Sequence, residues 1–311
     1  MNDTFSDFSP SAFNAPFWLR GGHTQTIYAK TLQDVAPNYR RELILDRFGG
    51  DWVAYDFVDA REANNPCVVL LHGLEGSSQS HYAIELMNTV QRVGWHGVVA
   101  HFRSCGGVPA KRLYHSGDSE EVAHMMSVLS ERYSRLFVVG VSLGGNVLAK
   151  YLGEAKTAAL PRAAITVSTP FKLAEAGKRL ESGLTRRLYT DYFLRSLLTK
   201  VDAKGKKIRS LGEFDNAFTA PIYGFADKDD YYAKASSFDL LREIAVPTLL
   251  INAKNDPFYP ASALPSAQDV SSCVQLLQPE NGGHVGFVSG RRLGHLMWLP
   301  ETILQFFAGF I

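Results

Sequence analysis

Short apolar runs of strand length alternate with helix-like segments from residue 67 to the end of the chain. The runs cover residues 67–72, 97–102, 136–141, 163–168, 247–252 and 274–278. The helix-like segments between and after them cover residues 81–93, 119–133, 145–154 and 297–310. Strands that are apolar on both faces are typical of a mostly parallel sheet with helices packed on both sides. The alternation therefore predicts an α/β fold.

Residues before 67 lack this alternation. Two strand-like runs at 42–46 and 52–58 flank Gly49-Gly50, which predicts a hairpin. Residues 1–40 are interpreted as an irregular, aromatic-rich lead-in. His23 and Gln25 in this lead-in are interpreted as structural residues that pack beneath a functional site.

Residues 171–245 interrupt the alternation between two predicted strands. An ordinary helical crossover needs roughly 10–15 residues, far fewer than are present here. Within the interruption, Leu194, Leu197, Leu198 and Val201 recur at helical spacing and predict a helix with one apolar face. We expect residues 171–245 to form a helical cap or lid, inserted into a single domain that spans residues 1–311.

The composition excludes several functional classes. The chain has 32 basic and 31 acidic residues, a net charge of +1, and no strongly basic half, so a nucleic-acid partner is not expected. No apolar run approaches the roughly 18–20 residues that span a bilayer, so stable membrane insertion is not expected either. The first residues do not resemble a secretory leader. Three widely spaced cysteines suit a reducing compartment, and we expect a cytoplasmic protein of unspecified oligomeric state.

One predicted strand continues into a helix through Gly140-Val-Ser142-Leu-Gly144, which fits the pattern G-x-S-x-G. In a strand–turn–helix context this pattern is typical of a nucleophilic serine, because the glycines leave room for a sharp turn. The N-terminus of the helix adds backbone N–H donors beside the hydroxyl. The alternative is a glycine-rich turn in which the serine is incidental, and the flanking elements favour the nucleophile.

A serine hydroxyl needs a base to remove its proton and a carboxylate to orient that base. With this type of turn, the acid and then the histidine follow the serine along the chain. Asp256 lies on the loop after the strand at 247–252, and His284 lies in the glycine-rich stretch Asn281-Gly-Gly-His-Val-Gly286. These two residues are the predicted acid and base for Ser142.

Other residues compete for the same roles. Asp227, Asp229 and Asp230 are acidic and downstream, but they fall inside the insertion, in a charged segment typical of a solvated turn. His295 also follows Asp256, but it directly precedes the last predicted helix and is interpreted as a surface or packing residue.

Backbone N–H groups are needed to bind the oxyanion that forms during acyl transfer. The amide of Leu143, directly after the serine, is one candidate. The other is the amide of Leu74, in the turn Leu71-His-Gly-Leu-Glu-Gly-Ser77 after the first core strand. His72 in the same turn is interpreted as ordering the loop rather than as a catalytic residue.

Several longer motifs resemble the YheT-like branch of the α/β-hydrolase superfamily. They are GGHTQTI at 21–27, FRSCGG at 102–107, YHSGD at 114–118 and GGNVLAK at 144–150. The resemblance runs from about residue 15 to the end of the chain. It implies an α/β-hydrolase fold and serine-dependent hydrolysis of small-molecule acyl esters, with Ser142, Asp256 and His284 at the matching positions and no metal or cofactor.

Two alternatives to an esterase remain open. A thioesterase or an acyltransferase would use the same three residues with a different leaving group or acceptor. Some relatives carry an H-x-x-x-x-D motif linked to acyl transfer, and here the nearest match is His115 followed by Glu120. A non-catalytic binding protein of the same fold would be expected to lack a member of the triad.

Three further sets of residues are interpreted outside the triad. Arg103 is interpreted as tying loops together and Cys105 as a small packed residue, rather than as a reactive thiol. An apolar acyl pocket is predicted from the aromatic residues Tyr189, Tyr192, Phe193 and Phe258. The sequence has no phosphate-binding loop, dinucleotide fingerprint or zinc-binding pattern.

Overall fold

An eight-stranded sheet forms the centre of the computed structural model, which describes residues 8–311. In chain order the strands are β1 (Arg40–Leu45), β2 (Trp52–Val58), β3 (Cys67–Leu71), β4 (His96–Ala100), β5 (Leu136–Val141), β6 (Ala163–Val167), β7 (Thr248–Ile251) and β8 (Val274–Leu277). Their spatial order is β1-β2-β4-β3-β5-β6-β7-β8. Strands β1 and β2 pair antiparallel, as do β2 and β4, and all other neighbours are parallel.

The predicted α/β-hydrolase architecture is therefore confirmed. Each of the six apolar runs coincides with one of β3–β8, to within one or two residues at either end. The predicted hairpin is β1–β2, with Leu45 opposite Trp52 and Gly49 at a φ of +67° in the turn.

Helices cover both faces of the sheet. Before the insertion they are α1 (Gly22–Tyr28), α2 (His81–Arg92), α3 (Ser119–Ser130) and α4 (Leu143–Ala155), and α11 (Trp298–Ala308) ends the fold. Along β3, the side chains of Cys67, Val69 and Leu71 enter a core shared with α3 and α4. Those of Val68 and Leu70 enter a second core with α2 and α11. This two-residue period explains why β3 is apolar throughout.

The lead-in is more ordered than predicted, because it contains α1. The heptapeptide GHTQTIY has no apolar period that would indicate a helix. Its stability depends on buried hydrogen bonds instead: the Gln25 side chain is 0% exposed and donates to the carbonyl oxygens of Leu19 and Val288 at 2.9 and 3.0 Å. The prediction that Gln25 packs structurally agrees with these contacts.

Six helices lie between β6 and β7. They are α5 (Leu173–Leu180), α6 (Gly183–Thr185), α7 (Asp191–Leu198), α8 (Leu211–Phe214), α9 (Ala220–Tyr223) and α10 (Lys228–Ala235). Two π-helical segments, Arg186–Thr190 and Asp215–Thr219, join α6 to α7 and α8 to α9. Leu194, Leu197, Leu211 and Phe214 pack with Leu113 of the main body in a separate apolar cluster. Within the described residues, no helix is long and apolar enough to cross a membrane.

A buried ion cluster connects three parts of the fold through Arg103, which follows β4. Its guanidinium is 0% exposed and pairs with Asp118 and Glu121 near the start of α3. The Oδ2 atom of Asp46, in the hairpin turn, lies 3.6 Å from Arg103 Nη1. It also donates to the hydroxyl of Tyr223 in the insertion at 3.2 Å. Burial opposes the charge, but the neighbouring carboxylates outweigh it and raise the pKa of Arg103. These contacts agree with the predicted loop-tying role.

Replacing this guanidinium is expected to destabilise the fold. Arg103→Met would leave buried carboxylates without their cation, and we expect the free energy of unfolding to fall by about 3–5 kcal/mol. The matched control is Arg132→Met, since the Arg132 side chain is 40% exposed where it pairs with Glu42, and exposed pairs contribute about 0–1 kcal/mol. Chemical denaturation would measure both changes, and equal losses would contradict a structural role for the Arg103 cluster.

Candidate active site

Ser142 occupies a sharp turn between β5 and α4. Its φ and ψ are 53° and −117°, a conformation that residues with a side chain rarely adopt. A Cβ atom at Gly140 would lie 2.5 Å from the carbonyl oxygen of Gly144, and one at Gly144 would lie 2.4 Å from that of Leu71. Both glycines of the pattern are therefore required by steric space, and the turn presents the Ser142 side chain at the carboxyl edge of the sheet.

The structure brings the three predicted residues together. The Nε2 atom of His284 lies 2.9 Å from Ser142 Oγ, and its Nδ1 atom lies 2.8 Å from Asp256 Oδ2. Asp256 is 3% exposed and His284 9%. The other oxygen of Asp256 accepts the backbone N–H of Phe258 at 2.8 Å, which fixes the carboxylate plane. A hydroxyl, an imidazole and a carboxylate thus form one continuous hydrogen-bonded chain.

The loop carrying His284 is held by residues that sequence reasoning did not assign to the site. Thr26 of α1 accepts the backbone N–H of His284 at 2.8 Å, and Ser168 after β6 accepts that of Val285 at 2.9 Å. The side chain of Asn255 accepts the N–H of Gly283 at 2.9 Å. The motif that contains Thr26 was recognised, but nothing in its spacing indicated a contact with residue 284.

The four aromatic residues predicted to form an acyl pocket are not among those that line the cavity next to Ser142. The ring of Phe258 stacks on the imidazole with centroids 4.1 Å apart. Tyr189 and Phe193 contact Phe258 edge-on, at 4.6 and 6.2 Å between centroids. The exposed ring of Tyr192 lies under the ammonium group of Lys30. The prediction is corrected accordingly: Phe258 packs on the histidine, Tyr189 and Phe193 pack on Phe258, and Tyr192 is exposed.

The cavity next to Ser142 has walls made by the insertion and by loops of the sheet edge. Its empty volume is about 840 Å³, and part of it is open to solvent. The apolar part of the lining comprises Leu74, Leu113, Leu143, Pro170, Leu173, Ala176, Leu180, Leu197, Leu211 and Phe214. The polar residues in the lining include His115, Asp215, Thr219, Tyr231 and Tyr232.

The two residues whose amides are predicted to bind an oxyanion, Leu74 and Leu143, line this cavity. In the hydrogen-bond network of residues 8–311, neither Leu74 nor Leu143 donates its backbone N–H to a protein acceptor. The turn before Leu74 is fixed by His72, whose Nδ1 donates to the carbonyl oxygen of Gly73 at 2.7 Å and whose Nε2 accepts the N–H of Phe102 at 3.1 Å. His72 thus orders the loop, as predicted, and both its nitrogens are in use.

The competing residues make other contacts, and the partners of the His284 ring are Ser142 and Asp256. Asp227 caps α10 by accepting the N–H groups of Asp229 and Asp230. His295 is exposed and pairs through its backbone with Ser289.

The packing of Cys105 and His23 agrees with the structural roles predicted for them. The buried thiol of Cys105 lies 3.5 Å from the ammonium group of Lys200, and burial raises the pKa of Cys105 to about 12. This environment agrees with a packed thiol. His23 stacks on Tyr189 in the insertion.

Among residues 8–311, no three His, Cys, Asp or Glu residues are grouped closely enough to hold a metal ion.

Comparisons with known proteins identify relatives over nearly the whole chain. Residues 66–290 match the family described as the alpha/beta hydrolase fold. A protein of Escherichia coli K12 named "Putative esterase YheT" is 36% identical, covering 96% of this chain and 94% of its own. Phospholipase ABHD3 of Homo sapiens is 28% identical, covering 93% and 76%. The solved structure of the Pyrococcus furiosus esterase Pf2001 is similar in fold, with a TM-score of 0.54 at 16% identity over 89% and 91%.

Four buried histidines make the stability of the fold dependent on pH. Burial lowers the pKa of His72 to about 3 and those of His81 and His115 to about 4, and it also lowers the pKa of His101. Below pH 6.5 the unfolded chain binds protons that the folded chain excludes, so the folded state loses stability as pH falls. Asp215 has the opposite effect between pH 6 and 3.8, because burial raises its pKa to about 6.

We expect the free energy of unfolding to fall by roughly 2–3 kcal/mol per pH unit between about pH 6 and 5. Denaturant titrations across this range would measure the slope. His81→Gln keeps a donor for the carbonyl oxygen of Val285, 3.0 Å from His81 Nε2, and should reduce the slope by about 1 kcal/mol per pH unit. The control His295→Gln removes a histidine that folding leaves exposed. An equal slope in wild type and His81→Gln would contradict this account.

The turn itself can be tested with a single methyl group. Gly144→Ala would place a Cβ within 2.5 Å of two backbone oxygens, those of Leu71 and His72. Relieving this overlap requires the backbone of β3 and its turn to shift, which costs free energy. We expect a loss of about 1–3 kcal/mol in the free energy of unfolding. The control Gly50→Ala adds a methyl group that meets nothing within 4 Å. A thermal shift no larger for Gly144→Ala than for Gly50→Ala would be the contradictory result.

Proposed function

The chain belongs to the α/β-hydrolase family, in its YheT-like branch, and we propose that it is a serine hydrolase that cleaves carboxylic esters through an acyl-enzyme. The names of its relatives, an esterase and a phospholipase, support ester hydrolysis. The observation that carries the proposal is the chain of contacts from Ser142 through His284 to Asp256 beside an apolar cavity.

In the first half of the reaction, Ser142 Oγ attacks the acyl carbonyl carbon while its proton passes to His284 Nε2, 2.9 Å away. The tetrahedral intermediate collapses as the C–O bond to the leaving alcohol breaks. The imidazolium returns the proton to the departing oxygen. Asp256 accepts a hydrogen bond from Nδ1, so it keeps the proton off Nε2 at the start and stabilises the imidazolium that forms.

The second half regenerates the enzyme. His284 takes a proton from water, the hydroxide oxygen attacks the acyl-enzyme carbonyl, and the ester bond to Ser142 breaks as the proton returns to Oγ. During both attacks the carbonyl oxygen becomes negative. The amides of Leu74 and Leu143, which have no protein acceptor in the described structure, would donate to it, and each such donor contributes about 3–4 kcal/mol to lowering the barrier.

Residues 171–245 act as the cap in this proposal. Leu173, Leu180, Leu197 and Leu211 of this segment supply apolar cavity wall opposite Ser142, a surface that suits an alkyl chain. The preferred substrates are therefore short- to medium-chain acyl esters.

A fluorophosphonate probe tests the nucleophile directly. Wild-type protein should become labelled and hydrolyse p-nitrophenyl acyl esters, whereas Ser142→Ala should lose labelling and at least about 1,000-fold of the turnover. The control Ser127→Ala changes an exposed serine on α3 and should behave like wild type. Labelling of Ser142→Ala at the wild-type rate would refute the proposal. A series of acyl lengths and of ester and thioester leaving groups would then separate esterase from thioesterase activity.

A further inference from the structure

The cavity next to Ser142 is lined mostly by apolar residues of the insertion and the sheet edge, but one carboxylate is among its lining residues. It belongs to Asp215, in the π-helical segment between α8 and α9, and it lines the same cavity as Ser142. The mechanism proposed above gives it no role. Single turns of π-helix are frequently found at functional sites.

The immediate partners of Asp215 are neutral. Its Oδ1 accepts the hydroxyl of Thr219 at 2.7 Å, and its Oδ2 accepts that of Tyr232 at 2.8 Å. Among residues 8–311, no lysine, arginine or histidine forms an ion pair with it. A carboxylate offers about four acceptor positions, so two remain after these bonds. Lys228 lowers the pKa of Asp215 at longer range, but its ammonium group pairs with Asp229.

A purely structural role explains this arrangement poorly. Holding the hydroxyls of Thr219 and Tyr232 uses one lone pair on each oxygen of Asp215 and does not by itself require a net charge. Asp215 is half-buried, and a carboxylate without an ion-pair partner costs free energy in such a place; burial raises the pKa of Asp215 to about 6. Above that pH the cavity wall holds a negative charge with unused acceptor positions, which is complementary to a donor on a bound molecule.

We propose that Asp215 is a second binding point in the active-site cavity, where its carboxylate accepts a hydrogen bond from a hydroxyl or ammonium group that the substrate carries away from the ester. The inference deepens the proposed function and rests on it. Ser142 acts on the ester, the leucines of the cavity contact the alkyl part, and Asp215 selects esters that bear a donor over plain alkyl esters of the same length.

Matched substrates test this selectivity. For each of several chain lengths, kcat/KM is measured for a plain alkyl ester, its hydroxylated counterpart and its amino counterpart, with the donor placed on the acyl or on the alcohol part. Wild type should prefer a donor-bearing member by roughly tenfold or more, since a hydrogen bond to a charged group is typically worth that much. Asp215→Asn should reduce this ratio towards one, while the control Asp239→Asn, at an exposed position, should retain it.

The two donor arms identify the ligand chemistry. A preference in the hydroxyl arm, the ammonium arm or both that disappears in Asp215→Asn supports the proposal and names the donor. The absence of any preference in wild type, or a preference that survives in Asp215→Asn, would overturn it.

A second variant separates ligand binding from a structural role. Tyr232→Phe removes the hydroxyl that Oδ2 accepts but keeps the carboxylate, so it should keep the donor preference even if the melting temperature falls. Equal loss of the preference in Tyr232→Phe and Asp215→Asn would show that the bond to Tyr232, rather than the free acceptor positions, carries the effect, and would overturn the proposal.

Binding without turnover keeps this test independent of the hydrolase proposal. On a Ser142→Ala background, calorimetry compares alkane diols and amino alcohols with the plain alcohols of equal length. Tighter binding of the donor-bearing ligands that is lost on adding Asp215→Asn supports the subsite even if no ester is hydrolysed. Equal binding of all ligands would reject the subsite while leaving the hydrolase proposal standing.

Discussion

The turn at Ser142 is the constraint on which the rest of the site depends. A residue with a side chain adopts φ 53° there, and packing around Gly140 and Gly144 leaves no room for a Cβ atom at either position. Because β5 is a central strand with parallel neighbours on both sides, the sheet holds this strained turn in place. The hydroxyl thus stands at a fixed point, and the loops after β3, β6, β7 and β8 are arranged around it.

Much of this arrangement could be predicted from the sequence because it follows from local patterns. Buried parallel strands are apolar without interruption, so β3 to β8 were visible as runs. The acid and the histidine could be predicted because both follow strands whose carboxyl ends meet at one edge. Asp256 and His284 could be predicted from that topology without knowledge of other contacts. They lie within hydrogen-bonding distance of each other, as expected.

What could not be predicted depends on contacts between residues far apart in sequence. Helix α1 has no apolar period, and its buried Gln25 is stabilised by partners such as Val288. The aromatic residues were misassigned for a similar reason: Tyr189 of the insertion and Phe258 on the loop after β7 are aromatic, but the sequence does not show whether a ring lines a cavity or packs on another ring. Nor does the sequence show that Asp215 shares a cavity with a serine 73 positions earlier.

The attachment of α1 to the histidine loop has a consequence for how the site comes into being. Thr26 and Gln25 bond to His284 and Val288, so segments from the two ends of the chain must meet before the imidazole has its position. The strands of the sheet pair with neighbours nearer in sequence, whereas part of the support of the imidazole comes from a contact between residues 258 positions apart. Loss of α1 would therefore loosen the loop that carries His284 and leave the pairing of the strands in place.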